Sequence, residues 1–295
     1  MLGVFRSVAL SPIRLGMSSV APLALVATMT TTTPPRDGTH DFDFLHGTWR
    51  RHDRRLHPSP SGSMEWQEFT GVSVVRPLWD GQGNIEEYRA DAPERPIHAV
   101  SLHLYNPRSG QWSLSWADRS QGALGPPATG GFSNGRGEFF SFEEDQGRMV
   151  YLRLTWTRVS PREVGLEQAL SRDGGQSWET NWIMQFTRVP ADAPRPPAVP
   201  WPVVTALQDG SGDGAHGFDF LHGQWRIRNR RLGRPLTGSS DWYEFDGASI
   251  ERPFWDGQGN LEEYEGNSPE GRIRGLALRL YDPRSRQWSI HWSSS

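Results

Sequence analysis

The chain contains no cysteine and no lysine. Without Cys there is no disulfide, no thiolate nucleophile and no Cys-based metal site. Without Lys, Schiff-base chemistry and the lysine of a phosphate-binding loop are excluded, and all 31 basic residues are arginine. No apolar run approaches the roughly 18–20 residues of a membrane-crossing helix. There is no basic run of the kind nucleic-acid binders use, and the formal net charge is −3, so neither nucleic acid nor membrane is expected as a partner. His-Glu-x-x-His, Gly-x-Ser-x-Gly and a helix-opening Gly-x-Gly-x-x-Gly are missing. His40-Asp41 and His52-Asp53 lack metal-ligand spacing. No metal and no cofactor are therefore expected, and no nucleophile stands out.

What the chain does have is a copy of itself. Residues 40–119 and 216–295 align without a gap at an offset of 176, with just over half of the positions identical. One copy opens Phe42-Asp43-Phe44-Leu45-His46-Gly47-Thr48-Trp49, the other Phe218-Asp219-Phe220-Leu221-His222-Gly223-Gln224-Trp225. The residues following the first copy, to Arg188, have no counterpart. A repeat of this kind dictates the organisation: a complete module at 40–190, a Pro- and Gly-rich linker at 191–215 and a partial module at 216–295. Residues 1–39 read as an extension with two interpretations. One is an early start before the flexible run from Met29, implying a cytoplasmic protein. The other is a weak secretory signal around Val20–Ala27.

Inside the module, short alternating runs lie between Gly-rich turns. Val100, Leu102 and Leu104 share one face, and the opposite face, where His103 becomes Arg279 in the second copy, is expected in solvent. Trp112, Leu114 and Trp116 share a face, as do Val150, Leu152, Leu154 and Trp156, and Trp178 to Phe186. About nine or ten such strands in meander order predict an all-β, antiparallel up-and-down barrel, closed so that no edge is exposed, plus a half barrel from the second copy. Ser171-Arg172-Asp173-Gly174-Gly175-Gln176-Ser177-Trp178 matches the Asp-box of sialidases, and as a single copy reads as a β-turn with Trp178 beneath it.

The Gly47-Thr48-Trp49 opening resembles the lipocalin-like (calycin) group. That resemblance implies that Trp49 plugs the barrel floor and that an Arg near the last strand, Arg188, packs over it. The Phe-Asp-Phe-Leu-x-Gly-x-Trp opening, the Asp80-Gly81-Gln82-Gly83-Asn84 turn and the Ser171–Trp182 segment look like an uncharacterised bacterial lipocalin-like family. Nitrobindin-type haem barrels also open with Leu-x-Gly-Thr-Trp, but no His lies between His103 and His216 to serve as their late axial ligand.

Trp is abundant, at 14 residues, and serves either as packing or as the lining of a ligand cavity. Trp66 and Glu68 share a face, as do Asn84, Glu86 and Tyr88, and Arg55 lies on the Trp49 face. If these faces point inward, the cavity holds Arg55, Glu68, Glu86 and Tyr88 among Trp49, Trp66, Trp112 and Trp116. The same set reads as an internal Arg–Glu network filling the barrel or as the anchor of a ligand. Three functions follow: binding of a small apolar or aromatic molecule; a cofactor-free isomerase, cyclase or hydratase with Glu68 or Glu86 as acid or base; and a scaffold without a ligand. The partial module is expected to expose an apolar face of Leu276, Leu278, Leu280, Trp288, Ile290 and Trp292. Such a face would support a homodimer through 216–295, lean on the first barrel, or be vestigial.

Overall fold

The computed structural model describes residues 37–58, 63–145, 147–190, 212 and 214–295. The expected N-terminal extension, apart from its last three residues, and most of the expected linker lie outside them. The first copy and its continuation form strands β1 (Gly47–Pro58), β2 (Met64–Leu78), β3 (Gly83–Asp91), β4 (Pro96–Asn106), β5 (Gln111–Asp118), β6 (Ala123–Leu124), β7 (Ala128–Ser133), β8 (Arg136–Asp145), β9 (Arg148–Ser160), β10 (Glu163–Ser171) and β11 (Glu179–Arg188). Each of the long strands pairs antiparallel with its neighbour, β5 passes to β7, and β6 is a two-residue addition to β5. The meander closes where β1 meets β11, from Trp49 opposite Arg188 to Arg55 opposite Trp182. The result is the expected closed barrel of ten strands.

One end of the barrel is sealed by aromatic rings. Phe42, ahead of β1, stands edge-on to Trp112, Phe132 and Trp156 at centroid distances of 5.0, 4.9 and 5.6 Å. The buried Trp49 indole donates to the Leu45 carbonyl at 2.7 Å. The Arg188 guanidinium lies 4.1 Å from the Trp49 ring and donates to the carbonyls of Phe44 and His46. This is the Trp–Arg floor implied by the opening motif. Gly47 makes it possible: its φ of +120° suits glycine, and a Cβ there would stand 2.9 Å from the Arg188 guanidinium. At the β10–β11 turn the Asp173 carboxylate accepts from the backbone of Gln176 and Ser177, the β-turn expected of the Asp-box motif.

The second copy forms a separate antiparallel meander of β12 (Gly223–Leu232), β13 (Trp242–Phe254), β14 (Gly259–Ser268), β15 (Gly271–Asp282) and β16 (Gln287–Ser294). Its Leu276, Leu278 and Leu280 are buried in one cluster with Val100 and Leu102 of β4. The expected single apolar face is therefore two faces. The leucines lean on the outside of the barrel, while Ile290 and Trp292 remain exposed on the other side of the sheet. This also reverses the reading of β4. Its Val100–Leu104 row faces out of the barrel under the second sheet, and His103, expected in solvent, is buried inside the barrel. A strand covered on both faces carries no single apolar side for its sequence to announce.

Candidate functional site

The barrel interior above the Trp floor is occupied by a polar layer. Arg51, two residues from Trp49 on β1, donates from Nη2 to Asp53 at 2.6 Å and from Nη1 to Glu86 at 3.3 Å. Ser73 of β2 donates to the same Glu86 oxygen at 2.5 Å. Tyr88 of β3 and the Trp182 indole each donate to Asp53 at 2.9 Å. The guanidinium also stacks 3.6 Å from the Tyr88 ring centroid. Every one of these side chains is buried. Burial opposes the charge on Arg51, but Asp53, Tyr88 and Glu86 outweigh it and raise its pKa. Burial likewise pushes the Tyr88 phenol up. A buried ion pair is stabilised by the partners of its remaining donors and acceptors, and this layer supplies them for both carboxylates and both terminal nitrogens of Arg51, leaving its Nε without one.

The expected residues separate accordingly. Glu86 and Tyr88 point inward as expected, with Asn84 beside them. Trp112 belongs to the sealed floor, its indole bonded to the Gly38 carbonyl at 2.9 Å, and Trp49 is the floor itself. Trp116 lies higher, 6.0 Å from Trp182 and 6.1 Å from Tyr88 between ring centroids. Trp66 and Glu68 do not reach the interior. In the β1–β2 register the inward Asp53 and Arg55 stand opposite Phe69 and Gln67, so Trp66 and Glu68 are on the outer face. There Glu68 is 56% exposed and pairs with His52 and Arg54. The internal Arg–Glu network exists, but its cation is Arg51 rather than Arg55. Arg51 was hidden because the second copy has Ile227 in its place; the available signal was its alternation with Trp49 and Asp53.

The second copy solves the same problem differently. Its Glu262, the counterpart of Glu86, receives Arg279 Nη2 at 2.7 Å, while Arg279 Nη1 reaches Glu251 at 2.8 Å and Asn260 at 3.1 Å. Arg279 occupies the position of His103. The cation moved from β1 to β15, and the carboxylate kept a partner.

Arg55 marks the other end of the barrel. It points inward, half-buried, with its guanidinium 4.5 Å from the Trp182 ring. No carboxylate stands within ion-pair distance of it among the described residues. Burial lowers its pKa, and Glu143 of β8 is the strongest opposing charge. Burial in turn raises the Glu143 carboxyl against the pull of Arg55. Neighbouring rim charges are already paired: His57 with Glu94 at 3.0 Å and Arg95 with Asp118 at 3.1 Å. A cavity of about 40 Å³ opens here, bounded by Arg55, His57, Gln67, Phe69, Glu94 and Arg95 among others. That is room for water rather than for a ligand, whose pockets run to roughly 300–1,000 Å³.

No family model matches the chain, and no curated protein resembles it in sequence. Among solved structures it is similar to an S-type phycobiliprotein lyase from Guillardia theta, at 10% identity and a TM-score of 0.37 over 51% of this chain and 92% of that one. It is also similar to a redesigned β-barrel, at 13% identity and a TM-score of 0.28 over 52% and 96% of the two chains. A DUF3598-family protein of unknown function from Nostoc punctiforme gives 15% identity and a TM-score of 0.22 over 82% of each. All three scores are low, and none bears on the site.

Proposed function

We propose that the barrel is a lipocalin-like binder of a small, mostly aromatic molecule carrying an anionic group. The ligand enters at the end opposite the Trp49 floor. Its body replaces the Arg55 side chain against Trp182 and Trp116, and its anion is held by the displaced guanidinium. One observation carries this reading: Arg55 is a half-buried cation stacked on an indole with no carboxylate partner among the described residues, in a barrel whose Arg51 is paired with two carboxylates. The small size of the cavity requires that Arg55 move, and an arginine held by stacking alone moves at modest cost. The acid–base reading has less support, because Glu68 faces solvent outside the barrel and Glu86 is sealed beneath Arg51 and Ser73.

The test pairs aromatic carboxylates with their neutral amides and follows Trp fluorescence and heat on titration. The acids should bind more tightly, and Arg55→Gln should weaken them about 10- to 100-fold, the range of a charged hydrogen bond, while leaving the amides nearly unchanged. Equal binding of acid and amide, unaffected by Arg55→Gln, would sink the proposal.

A further inference from the structure

The five-stranded sheet meets the barrel through the face that the two copies have in common. Ile85, Val100 and Leu102 of the barrel share a buried cluster with Leu261, Leu276 and Leu278, which are their own counterparts at the offset of 176. The polar rim repeats the equivalence. Arg274 donates to Asp80 at 2.6 Å and to Gln82 at 3.2 Å. Across the interface, Arg119 donates to Asp256 at 2.7 Å and to Gln258 at 2.9 Å. Asp80 and Gln82 correspond to Asp256 and Gln258.

The two arginines are not counterparts, yet they stand at one place. Arg274 corresponds to His98, and Arg119 to Ser295. In each copy these two positions are hydrogen-bonded neighbours, Arg119 to the His98 carbonyl at 2.8 Å and Ser295 to the Arg274 carbonyl at 3.1 Å. Each copy thus supplies one guanidinium from the same spot. The acceptors ride on matching left-handed turns, with φ of 57° at Asp80 and 55° at Asp256, each after a Trp that also has positive φ. Such backbone is uncommon for residues other than glycine and persists where the surroundings hold it. Interior positions have meanwhile diverged in chemical type, with Arg51 against Ile227, Val75 against Glu251 and His103 against Arg279, while Ile85, Val100, Leu102 and Leu104 of the packing face have apolar counterparts.

A patch that meets its own equivalent is an isologous interface, the geometry of a twofold dimer. We infer that the outer face of β3–β5 is a self-recognition surface of the module, and that its partner is a second copy of the module, which this chain carries within itself. The chain is in this sense a covalent pseudo-dimer. The inference does not depend on what the barrel binds.

The barrel closes around its own core, so residues 36–190 can be produced alone and their mass in solution read by light scattering. The fragment should be a dimer in which Arg119 of each copy faces Asp80 of the other. Arg119→Glu then acts twice and should weaken the dimer by roughly tenfold or more, since both ion pairs are lost and reversal adds repulsion. Asp80→Arg combined with Arg119→Asp should restore it. Should the fragment fail to fold, the barrel freed from the folded full chain, by cutting at a protease site placed within residues 191–201 and washing off the sheet, gives the same readout. A monomeric barrel overturns the inference. So does a dimer indifferent to Arg119→Glu, which would place association elsewhere.

Discussion

Arg51 and Asp53 stand two residues apart on β1, point the same way into the barrel and meet at 2.6 Å, with side chains only 1% and 0% exposed. Asp53 also accepts from Tyr88 and Trp182, so three donors depend on it. Asp53→Leu should destabilise the barrel by about 3–5 kcal/mol, because it leaves the buried guanidinium only Glu86 and takes the acceptor from Tyr88 and Trp182. Chemical denaturation followed by Trp fluorescence measures this. A change under 1 kcal/mol would mean that water enters the layer and solvates Arg51.

The second copy suggests a rescue. Arg51→Ile with Asp53→Asn reproduces Ile227 and Asn229 and leaves Glu86 without its cation. Adding His103→Arg should recover much of the lost stability, since Arg279 reaches Glu262 from that register position at 2.7 Å. The measurement is the coupling between the β1 pair and position 103 in a mutant cycle, expected at about 1–3 kcal/mol for residues sharing one network. No coupling would show that the two copies are not interchangeable.

Glu251 should make the five-stranded sheet more stable in mild acid. Burial raises its carboxyl to about 7, against the pull of Arg279 and with the help of Glu262. An acid with a raised folded pKa contributes stability that is fully present below its ordinary value of 4.5 and lost as the pH climbs through about 7. Hydrogen exchange of β13–β15 amides across that window checks it. Glu251→Gln should flatten the dependence, and an unchanged slope would assign it to another group.

His103 acts in the opposite sense on the barrel. Burial lowers its pKa to about 3, so the folded state holds it neutral. The stability it contributes is present above its ordinary 6.5 and is lost as the pH falls toward 3. His103→Phe should reduce the acid sensitivity of the barrel melting temperature between those values. If the wild-type and variant profiles run parallel, the imidazole is not the group protonated.

The outer face of β2 should be quiet. Trp66→Ala and Glu68→Gln are expected to change stability by no more than about 0.5–1 kcal/mol, as exposed positions with surface ion pairs do. Neither should alter a ligand titration that Arg55→Gln disturbs. A loss of binding in Glu68→Gln would revive that residue as part of a site.

The strands, the turns and the barrel floor were legible in the sequence. Alternation located β4, β5, β9 and β11, and the Gly-x-Trp opening with Arg188 foretold the packing at Trp49. The facing of two strands was not legible. On β2 an aromatic residue stands on either side, Trp66 on one and Phe69 on the other, and in a period-two pattern a shift of one residue exchanges inside for outside. On β4 the more apolar row turned out to be the outer one, because the second sheet covers it and His103 can be buried among aromatic rings.

What the sequence determined by itself is where the chain extends, where glycines let it turn, and that two copies exist. The first two follow from spacing and conformational preference within a few residues and the third from comparing one stretch of the chain with another, while the aromatic plug was implied by the resemblance of the opening to the lipocalin-like group. Which carboxylate meets which arginine was decided only by the tertiary structure, and so was the burial of Leu276, Leu278 and Leu280 against the barrel rather than in solvent. Both depend on the register between β1, β2 and β3 and on a second sheet arriving from more than a hundred residues away. Pairing of that range leaves no mark on the local pattern, since a buried charge needs a partner but does not say where in the chain that partner lies.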